Sequence, residues 1–501
     1  MAKFATRFPI LTATLVLFGV SLAWGQQGQT QSQTSSGQQP GQPPSSQNTA
    51  SPQQPLSPEQ TGAQQSANQP NQNEPVSSGA SSLTGAEQFT LSRIGAGHNY
   101  IIPSFQFAQS VATSGTGPFG TAQVDPISTL SGVFAFHHLW SRYEMTAQYA
   151  GSGFLYYHEP SLDTSAHEFS LSQHVSGRRS SFLLSDVVTY LPESSFGYSR
   201  FSGFNNYGSA GYGYGGLFGV NGSNLDTTFL PGQSLLTSPS SQVGNTVVGE
   251  YDYLLNPLSS LTLTGSYILL RFPSSGYIGT EEAIFQIGYN HTFTRKNSLG
   301  VAYQGGIFRF GSFGGDFTNH AVTLNFRRTI SRRLGLQLSA GPQFILFSNN
   351  SAAPGQTTQI SWQASGRLSY QLERFLVGLS YLHYTSSGSG VYRGAKTDNV
   401  GMNFSAPLSR AWTFDANLGY AYNTNLQGAN PSGTAASYNS WYGTVNLHRT
   451  LNRWLSIFLS YNVQQQLTPT ATCIGSTCGT FYTQQYFSFG LNWHPVLPGV
   501  E

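Results

Sequence analysis

Apolar and polar residues alternate in many short segments of the chain from about residue 100 onward. The alternation is clearest in segments 412–420, 455–462 and 487–493. In segment 455–462 the odd positions are Leu, Ile, Leu and Tyr, whereas the even positions are mostly Ser and Asn. Because the side chains of a β-strand point alternately to its two faces, this period of two predicts strands with one apolar and one polar face.

The polar faces of these predicted strands carry Ser, Gly, Asn and Gln rather than Lys and Glu. A soluble β-sandwich would present a more highly charged face to water. The strands of a transmembrane barrel instead turn an apolar face to lipid and a polar face to the lumen. The pattern therefore favours an all-β fold, a closed antiparallel transmembrane β-barrel.

A tripeptide of one apolar residue, one small or polar residue and Arg recurs between pairs of alternating segments. The six copies are Trp140-Ser141-Arg142, Phe293-Thr294-Arg295, Ile330-Ser331-Arg332, Leu372-Glu373-Arg374, Leu408-Ser409-Arg410 and Leu451-Asn452-Arg453. Degenerate copies lie at 175–178 and 258–260. We expect these eight sites to be tight periplasmic hairpin turns, at which the apolar residue ends the lipid belt and Arg reaches the lipid phosphates.

Eight turns join 16 strands, and alternating segments near 103–111 and 484–494 raise the predicted number to 18. A barrel of 16 strands is the alternative, because the segment before residue 111 alternates poorly. An even number of strands, with both chain ends on the side of the short turns, is what a closed barrel with periplasmic termini requires.

Four regions follow from composition along the chain. Residues 1–25 combine Lys3 and Arg7 with an apolar run and small residues near Ala23, which is typical of a secretory signal peptide. Residues 26–97 are rich in Gln, Ser and Pro, and they are expected to form a disordered periplasmic arm. The barrel is predicted over 98–494, followed by a tail over 495–501.

The overall composition narrows the class of protein. Charged residues make up only 8% of the chain and aromatic residues 14%, whereas soluble domains carry about 25% charged residues. No apolar run past the signal segment approaches the roughly 20 residues of a transmembrane helix, which excludes a helical membrane protein. Two of the 22 basic residues lie in the signal segment, which leaves 20 against 20 acidic residues. No nucleic-acid partner is indicated.

With its apolar-Ser-Arg turns between alternating strands, the chain resembles the porin-like outer-membrane β-barrel proteins of Gram-negative bacteria. The resemblance covers roughly 98–494 and implies a passive channel in contact with outer-membrane lipids, small-molecule solutes and the barrel-assembly machinery. It also allows a homotrimer. The chain departs from the pattern at its end, because such barrels commonly finish on Phe, whereas here Trp493 and His494 precede a seven-residue tail.

The spacing of the turns contains one abnormal gap of 83 residues between 177 and 260, which implies a long connection from Pro192 to about Val243. The resemblance implies that this connection folds inward as a constriction loop. Its candidate residues are Tyr198, Arg200, Tyr207, Tyr212, Tyr214, Phe218 and Asp226. A weakly charged aromatic constriction suits neutral or sugar-like solutes. The alternatives are an extracellular cap without contact to the lumen and a fold that plugs the pore.

Other titratable and reactive residues are few. The alternation places six charges at inward-facing positions as candidate lumen charges: Glu144, Glu168, Glu250, Asp252, Arg367 and Asp415. Their alternative role is to pair across the lumen wall and hold strand register. Cys473 and Cys478 lie in the last predicted extracellular loop, at a spacing that permits a small disulfide ring.

No cofactor, metal centre or catalytic set is expected from the sequence. Two function classes stay open: a passive channel for small, neutral or sugar-like solutes, and a barrel for polysaccharide export or surface attachment.

Overall fold

The computed structural model describes most of the predicted barrel. The described residues are 99–116, 123–158, 160, 163–191, 241–273, 277–311, 314–348, 358–372, 375–388, 393–426, 437–452, 454–467 and 481–493. No helix among these residues is long and apolar enough to cross a membrane. The predicted signal segment, arm and C-terminal tail lie outside the described residues.

Eighteen antiparallel strands form one sheet. They are β1 Tyr100–Thr116, β2 Gln123–Leu139, β3 Tyr143–Tyr156, β4 Thr164–Ser176, β5 Ser180–Leu191, β6 Gln242–Asn256, β7 Ser259–Arg271, β8 Thr280–Thr294, β9 Asn297–Arg309, β10 Phe317–Ser331, β11 Leu334–Phe347, β12 Thr358–Gln371, β13 Leu376–Ser386, β14 Ala395–Pro407, β15 Trp412–Asn425, β16 Ser437–Thr450, β17 Leu455–Leu467 and β18 Phe481–Trp493. Each strand pairs with its neighbours in the chain, and β1 pairs with β18 to close the sheet. The predicted closed barrel of 18 strands is confirmed.

The repeated tripeptide builds the short turns, which leave two to four residues between the paired strands. The middle residue of the tripeptide holds the turn. Asn452 Oδ1 accepts hydrogen bonds from the backbone N–H groups of Trp454 and Leu455, at 2.8 and 2.9 Å. Ser409 Oγ accepts in the same way from the N–H groups of Ala411 and Trp412. Side chains that accept a hydrogen bond from backbone two or three residues ahead replace part of the strand ladder at a turn.

Four of the six turn arginines lie in these described turns: Arg142, Arg295, Arg332 and Arg410. Arg374 and Arg453 lie outside the described residues. The turns between β6 and β7 and between β4 and β5 occupy the positions of the two degenerate repeats. All eight predicted hairpin sites therefore fall at one end of the barrel, which we call the short-turn end; the opposite end is the long-loop end.

The two faces of the sheet differ sharply in chemistry. Every strand carries at least one exposed large apolar side chain, such as Leu418 at 55% and Phe489 at 52% exposure. The opposite face, which encloses the interior, carries mainly Ser, Thr, Asn and Gln, and most of these side chains are buried. The arrangement is the reverse of a soluble barrel, in which apolar side chains fill the interior.

One seam of the wall is incomplete at the long-loop end. The ladder between β12 and β13 runs from Gln371 with Leu376 to Ala364 with His383 and stops there. Among the described residues, the remaining part of β12, 358–363, pairs with β11 alone. Residues 383–388, at the end of β13, are all buried. The end of β13 has therefore separated from β12 and lies inside the barrel, while β14 stays paired with β15 as far as Ala395 with Asn425.

Candidate channel interior

The inward-facing surface is polar but carries little charge. Among the buried polar side chains of the described residues, only Glu250 and Glu282 bear a carboxylate, and none bears an ammonium or guanidinium group. The hydroxyl groups often bind one another across neighbouring strands, as Ser131 and Ser152 do at 2.8 Å. Such an interior presents many hydrogen-bond donors and acceptors to its contents, and its few charged groups are mostly carboxylates.

The structure places the six predicted lumen charges at inward-facing positions of their strands. They are Glu144 on β3, Glu168 on β4, Glu250 and Asp252 on β6, Arg367 on β12 and Asp415 on β15. Two of the carboxylates bind a hydroxyl on the adjacent strand. Thr262 Oγ1 donates to Asp252 Oδ1 at 2.5 Å, and Ser405 Oγ donates to Asp415 Oδ1 at 2.6 Å. Both hydrogen bonds join neighbouring strands of the wall.

Glu144 belongs to a small polar group near the short-turn end. Its Oε1 atom lies 3.0 Å from Nε2 of His137, and its Oε2 atom lies 3.9 Å from Nδ1 of His174. His174 is the direct cross-strand partner of Glu144. No group of three or more His, Cys, Asp and Glu residues in the described part of the chain is arranged to hold a metal ion.

The inward tip of the β13–β14 hairpin, 383–388 with 393–397, touches strands far from its own place in the wall. Thr385 Oγ1 donates a hydrogen bond of 3.1 Å to Oε1 of Gln343 on β11, and both side chains are buried. The side chain of Ser387 lies beside the carboxyl group of Glu282 on β8. Five strand spacings separate β8 from β13, which amounts to about 24 Å around the wall. Two short side chains cannot bridge that distance unless the hairpin crosses the interior.

A cluster of aromatic side chains packs against the other side of this inward tip. The rings of Phe308 and Phe317 stack with centroids 4.5 Å apart, and Phe347 lies against Phe317 at 6.1 Å. Gly394, in the tip, is packed so closely that an added Cβ would lie 2.6 Å from Cε1 of Phe317 and 3.1 Å from Cδ2 of Leu426. Gly394 also has φ of +88°, a conformation that favours glycine. The tip therefore packs against this aromatic cluster inside the barrel, at the long-loop end.

Sequence reasoning did not identify this inward tip. The alternation marks β13 and β14 as ordinary strands, and the burial of both faces near residue 385 depends on contacts with β8, β10 and β11. One local feature of the sequence pointed to an unusual connection here, namely the glycines Gly388 and Gly394. Both have positive φ in the structure. The predicted constriction loop, with Tyr198, Arg200, Tyr207, Tyr212, Tyr214, Phe218 and Asp226, lies outside the described residues, as do Cys473 and Cys478.

A small cavity of about 20 Å³, room for a single water molecule, lies on the inward face where β17, β18, β1, β2 and β3 are adjacent. Its described lining combines polar, aliphatic and aromatic side chains, and none of these lining residues carries a charge. The lining residues are Gln106, Ala108, Ser110, Ile127, Thr129, Phe154, Phe458, Ser460, Asn462, Tyr486 and Ser488. We call it the Gln106 cavity.

No protein-family model matches the chain, and no curated protein sequence matches it. Several solved structures are similar to it. The outer membrane protein OpdK of Pseudomonas aeruginosa is 9% identical, with a TM-score of 0.39 over 79% of this chain and 99% of that one. OccK11 (OpdR) of Pseudomonas aeruginosa is 10% identical, with a TM-score of 0.38 over 80% and 98%. OccAB3 of Acinetobacter baumannii is 9% identical, with a TM-score of 0.41 over 79% and 99%. The 18 paired strands of the chain define its fold.

Proposed function

We propose that this protein is a porin-like channel of the Gram-negative outer membrane, through which small neutral or sugar-like solutes diffuse passively. The observation that carries the proposal is the reversed distribution of side chains in a closed barrel. Apolar side chains cover its outer surface, and mainly uncharged polar side chains line the described part of its interior. A closed sheet satisfies its backbone hydrogen bonds internally, which a spanning structure requires in lipid.

The dimensions of the strands support a membrane location. The strands are 11 to 17 residues long, and about 9 to 11 tilted residues are enough to cross the hydrocarbon core. Aromatic residues stand at the short-turn end as an interfacial girdle would, with Trp140 and Trp454 both exposed beside their turns. Arginines of the same turns would lie at the level of the lipid phosphates.

The charge distribution supports neutral rather than ionic solutes. Most buried polar side chains in the described part of the barrel are uncharged, and Asp252 and Asp415 each accept a hydrogen bond from a hydroxyl of the next strand. A channel that selects ions strongly would instead present a ring or ladder of unbalanced charge to its contents. Five of the six inward-facing charges named above are carboxylates and one is a guanidinium group, so we expect a modest preference for cations over anions of the same size.

The contacts of the described residues support the inward tip of the β13–β14 hairpin as the constriction. It reaches Glu282, Phe317 and Gln343 from a distant place in the wall. The long connection between β5 and β6 is a second, independent candidate for the constriction, because its sequence is rich in aromatic residues and carries few charges. Four further features stay predictions: a periplasmic arm, a Cys473–Cys478 disulfide, assembly by the barrel-assembly machinery and trimer formation.

Single-channel recording in planar bilayers tests the proposal. The purified full-length protein should give discrete conductance steps, and a tenfold KCl gradient should give a small reversal potential of the sign that a weak preference for cations produces. Proteoliposomes should swell faster in isotonic glucose than vesicles that contain a heat-unfolded sample of the same protein. Correctly inserted protein that gives no steps and no swelling would contradict the channel, and it would favour the alternative role in polysaccharide export or surface attachment.

A further inference from the structure

Two strand edges without a partner meet where the β12–β13 ladder ends. Within the described part of the chain, residues 358–363 of β12 pair with β11 alone, and residues 384–386 of β13 pair with β14 alone. Such edges leave backbone N–H and C=O groups outside any ladder. In a barrel that crosses lipid, these groups are costly unless water or another strand satisfies them.

The register for joining the two edges is already present below the gap. The ladder between β12 and β13 ends at Ala364 with His383 and contains no bulge. The same offset, continued toward the long-loop end, places Ser361 opposite Ser386. Because β13 is paired with β14 along its whole length, joining the edges requires a swing of the end of β13 and no change of register.

The side chain of Trp362 holds the two strands together at the point where the ladder ends. Its indole ring stacks on the imidazole ring of His383, with the centroids 4.1 Å apart and the planes at 6°. Nδ1 of His383 lies 2.7 Å from Oδ1 of Asp398 on β14. The end of β13 is therefore tethered beside the edge of β12 even while it lies inside the barrel.

The outward positions at the end of β13 are polar. Thr385 and Ser387 share the parity of Leu379, which faces outward at 48% exposure. A polar side chain gains little from contact with lipid, and inside the barrel Thr385 donates to Gln343. The sequence of this strand end therefore suits the inward position as well as the wall.

The docked position leaves hydrogen-bonding groups unmet. Glu282 is 3% exposed and Gln343 is 1% exposed. Oε1 of Glu282 and Nε2 of Gln343 have no hydrogen-bond partner among the described residues, although the tip lies against both side chains. Buried polar groups without partners destabilise the arrangement that buries them. Docking thus leaves these atoms and the β12 edge unsatisfied, whereas leaving the interior loses the Thr385–Gln343 hydrogen bond.

We propose that the end of β13 is a gate with two positions. In the docked position it lies inside the barrel, as in the structure. In the wall position it pairs with the free edge of β12, completes the barrel wall and widens the channel. The proposal rests on the proposed channel function and deepens it, because it describes how the constriction of that channel opens.

Paired cysteines in a background without Cys473 and Cys478 test the gate. The test pair is Ser361→Cys with Ser386→Cys, residues that are cross-strand partners only in the wall position. Directly opposed residues of antiparallel strands have Cα atoms about 4.5 to 5.5 Å apart, a separation that a disulfide accepts. Oxidation with copper phenanthroline in lipid vesicles should therefore remove both thiols from reaction with a polyethylene-glycol maleimide. Single channels should then stay in a larger conductance level, and dithiothreitol should reverse the change.

The control pair is Ser365→Cys with Leu382→Cys, which are partners in the ladder that the structure contains. It should cross-link without a change in conductance. Cross-linking of the control pair but not of the test pair would overturn the gate, and so would a cross-linked test pair with the conductance pattern of the wild type.

These outcomes separate the gate from the channel. Absence of conductance steps in the wild type would overturn the channel. The thiol reaction in vesicles then reports on the movement of β13 without any current: a cross-linked test pair would support the two positions, and a test pair that keeps its thiols beside a cross-linked control pair would overturn them.

Discussion

Replacing Gly394 by Ala should release the inward tip of the β13–β14 hairpin. Gly394 has φ of +88°, and an added Cβ would lie 2.6 Å from Cε1 of Phe317. The left-handed conformation alone costs a non-glycine residue roughly 1 to 2 kcal/mol. The Phe317 ring cannot retreat easily, because it is packed between Phe308 and Phe347. We expect a total of about 1 to 3 kcal/mol against the docked position.

This free energy sets the ratio of the docked to the released tip. Since 1.4 kcal/mol is a factor of ten, the equilibrium between docked and released tip should shift by about 5- to 150-fold. Single-channel recording should show longer dwell times in a larger conductance level for Gly394→Ala than for the wild type. Gly265→Ala is the control, because no atom lies within 4 Å of the position its Cβ would take. A conductance pattern unchanged in Gly394→Ala, with only the free energy of unfolding lowered, would refute the constriction.

Three further changes test other parts of the structure. Thr385→Val removes the donor to the buried Gln343 and should favour the released tip by about 1 to 3 kcal/mol; single-channel dwell times identical to those of the wild type would contradict it. Phe489→Arg places a charge on the exposed apolar face and should lower the free energy of unfolding in lipid vesicles by about 2 to 4 kcal/mol, as measured by urea titration. An unchanged free energy of unfolding would argue against lipid contact at this position. Asn452→Ala removes the acceptor for two backbone N–H groups and should cost about 1 to 2 kcal/mol in the same titration, whereas Asn452→Asp keeps the acceptor and should cost less.

The wall of the barrel could be predicted from the sequence because its determinants are local. Alternation sets which face of each strand is apolar, and the apolar-Ser/Thr/Asn-Arg tripeptide carries its own turn chemistry, as the contacts of Ser409 and Asn452 show. Counting such turns counts strands without any knowledge of distant contacts. The predicted positions of Glu250 and Asp415 follow from the same parity.

The contents of the barrel could not be predicted in the same way. Thr385 and Gln343 are 42 residues apart in sequence, and Gln106 and Asn492 meet only because β1 closes against β18. The alternation shows whether a side chain points inward, but it does not show how far that side chain lies from the opposite wall. Phe458 illustrates the limit, since it is an aromatic residue at a position where the local pattern calls for a small polar one.

Cysteine accessibility along β15 tests the central claim, a water-filled lumen inside an apolar outer surface, most directly. Asn417 faces the interior and the adjacent Leu418 faces outward at 55% exposure, at nearly the same depth in the strand. In a background without Cys473 and Cys478, a membrane-impermeant charged thiol reagent should modify Asn417→Cys in proteoliposomes and leave Leu418→Cys protected. Equal modification of the two positions, or protection of Asn417→Cys with modification of Leu418→Cys, would contradict the account.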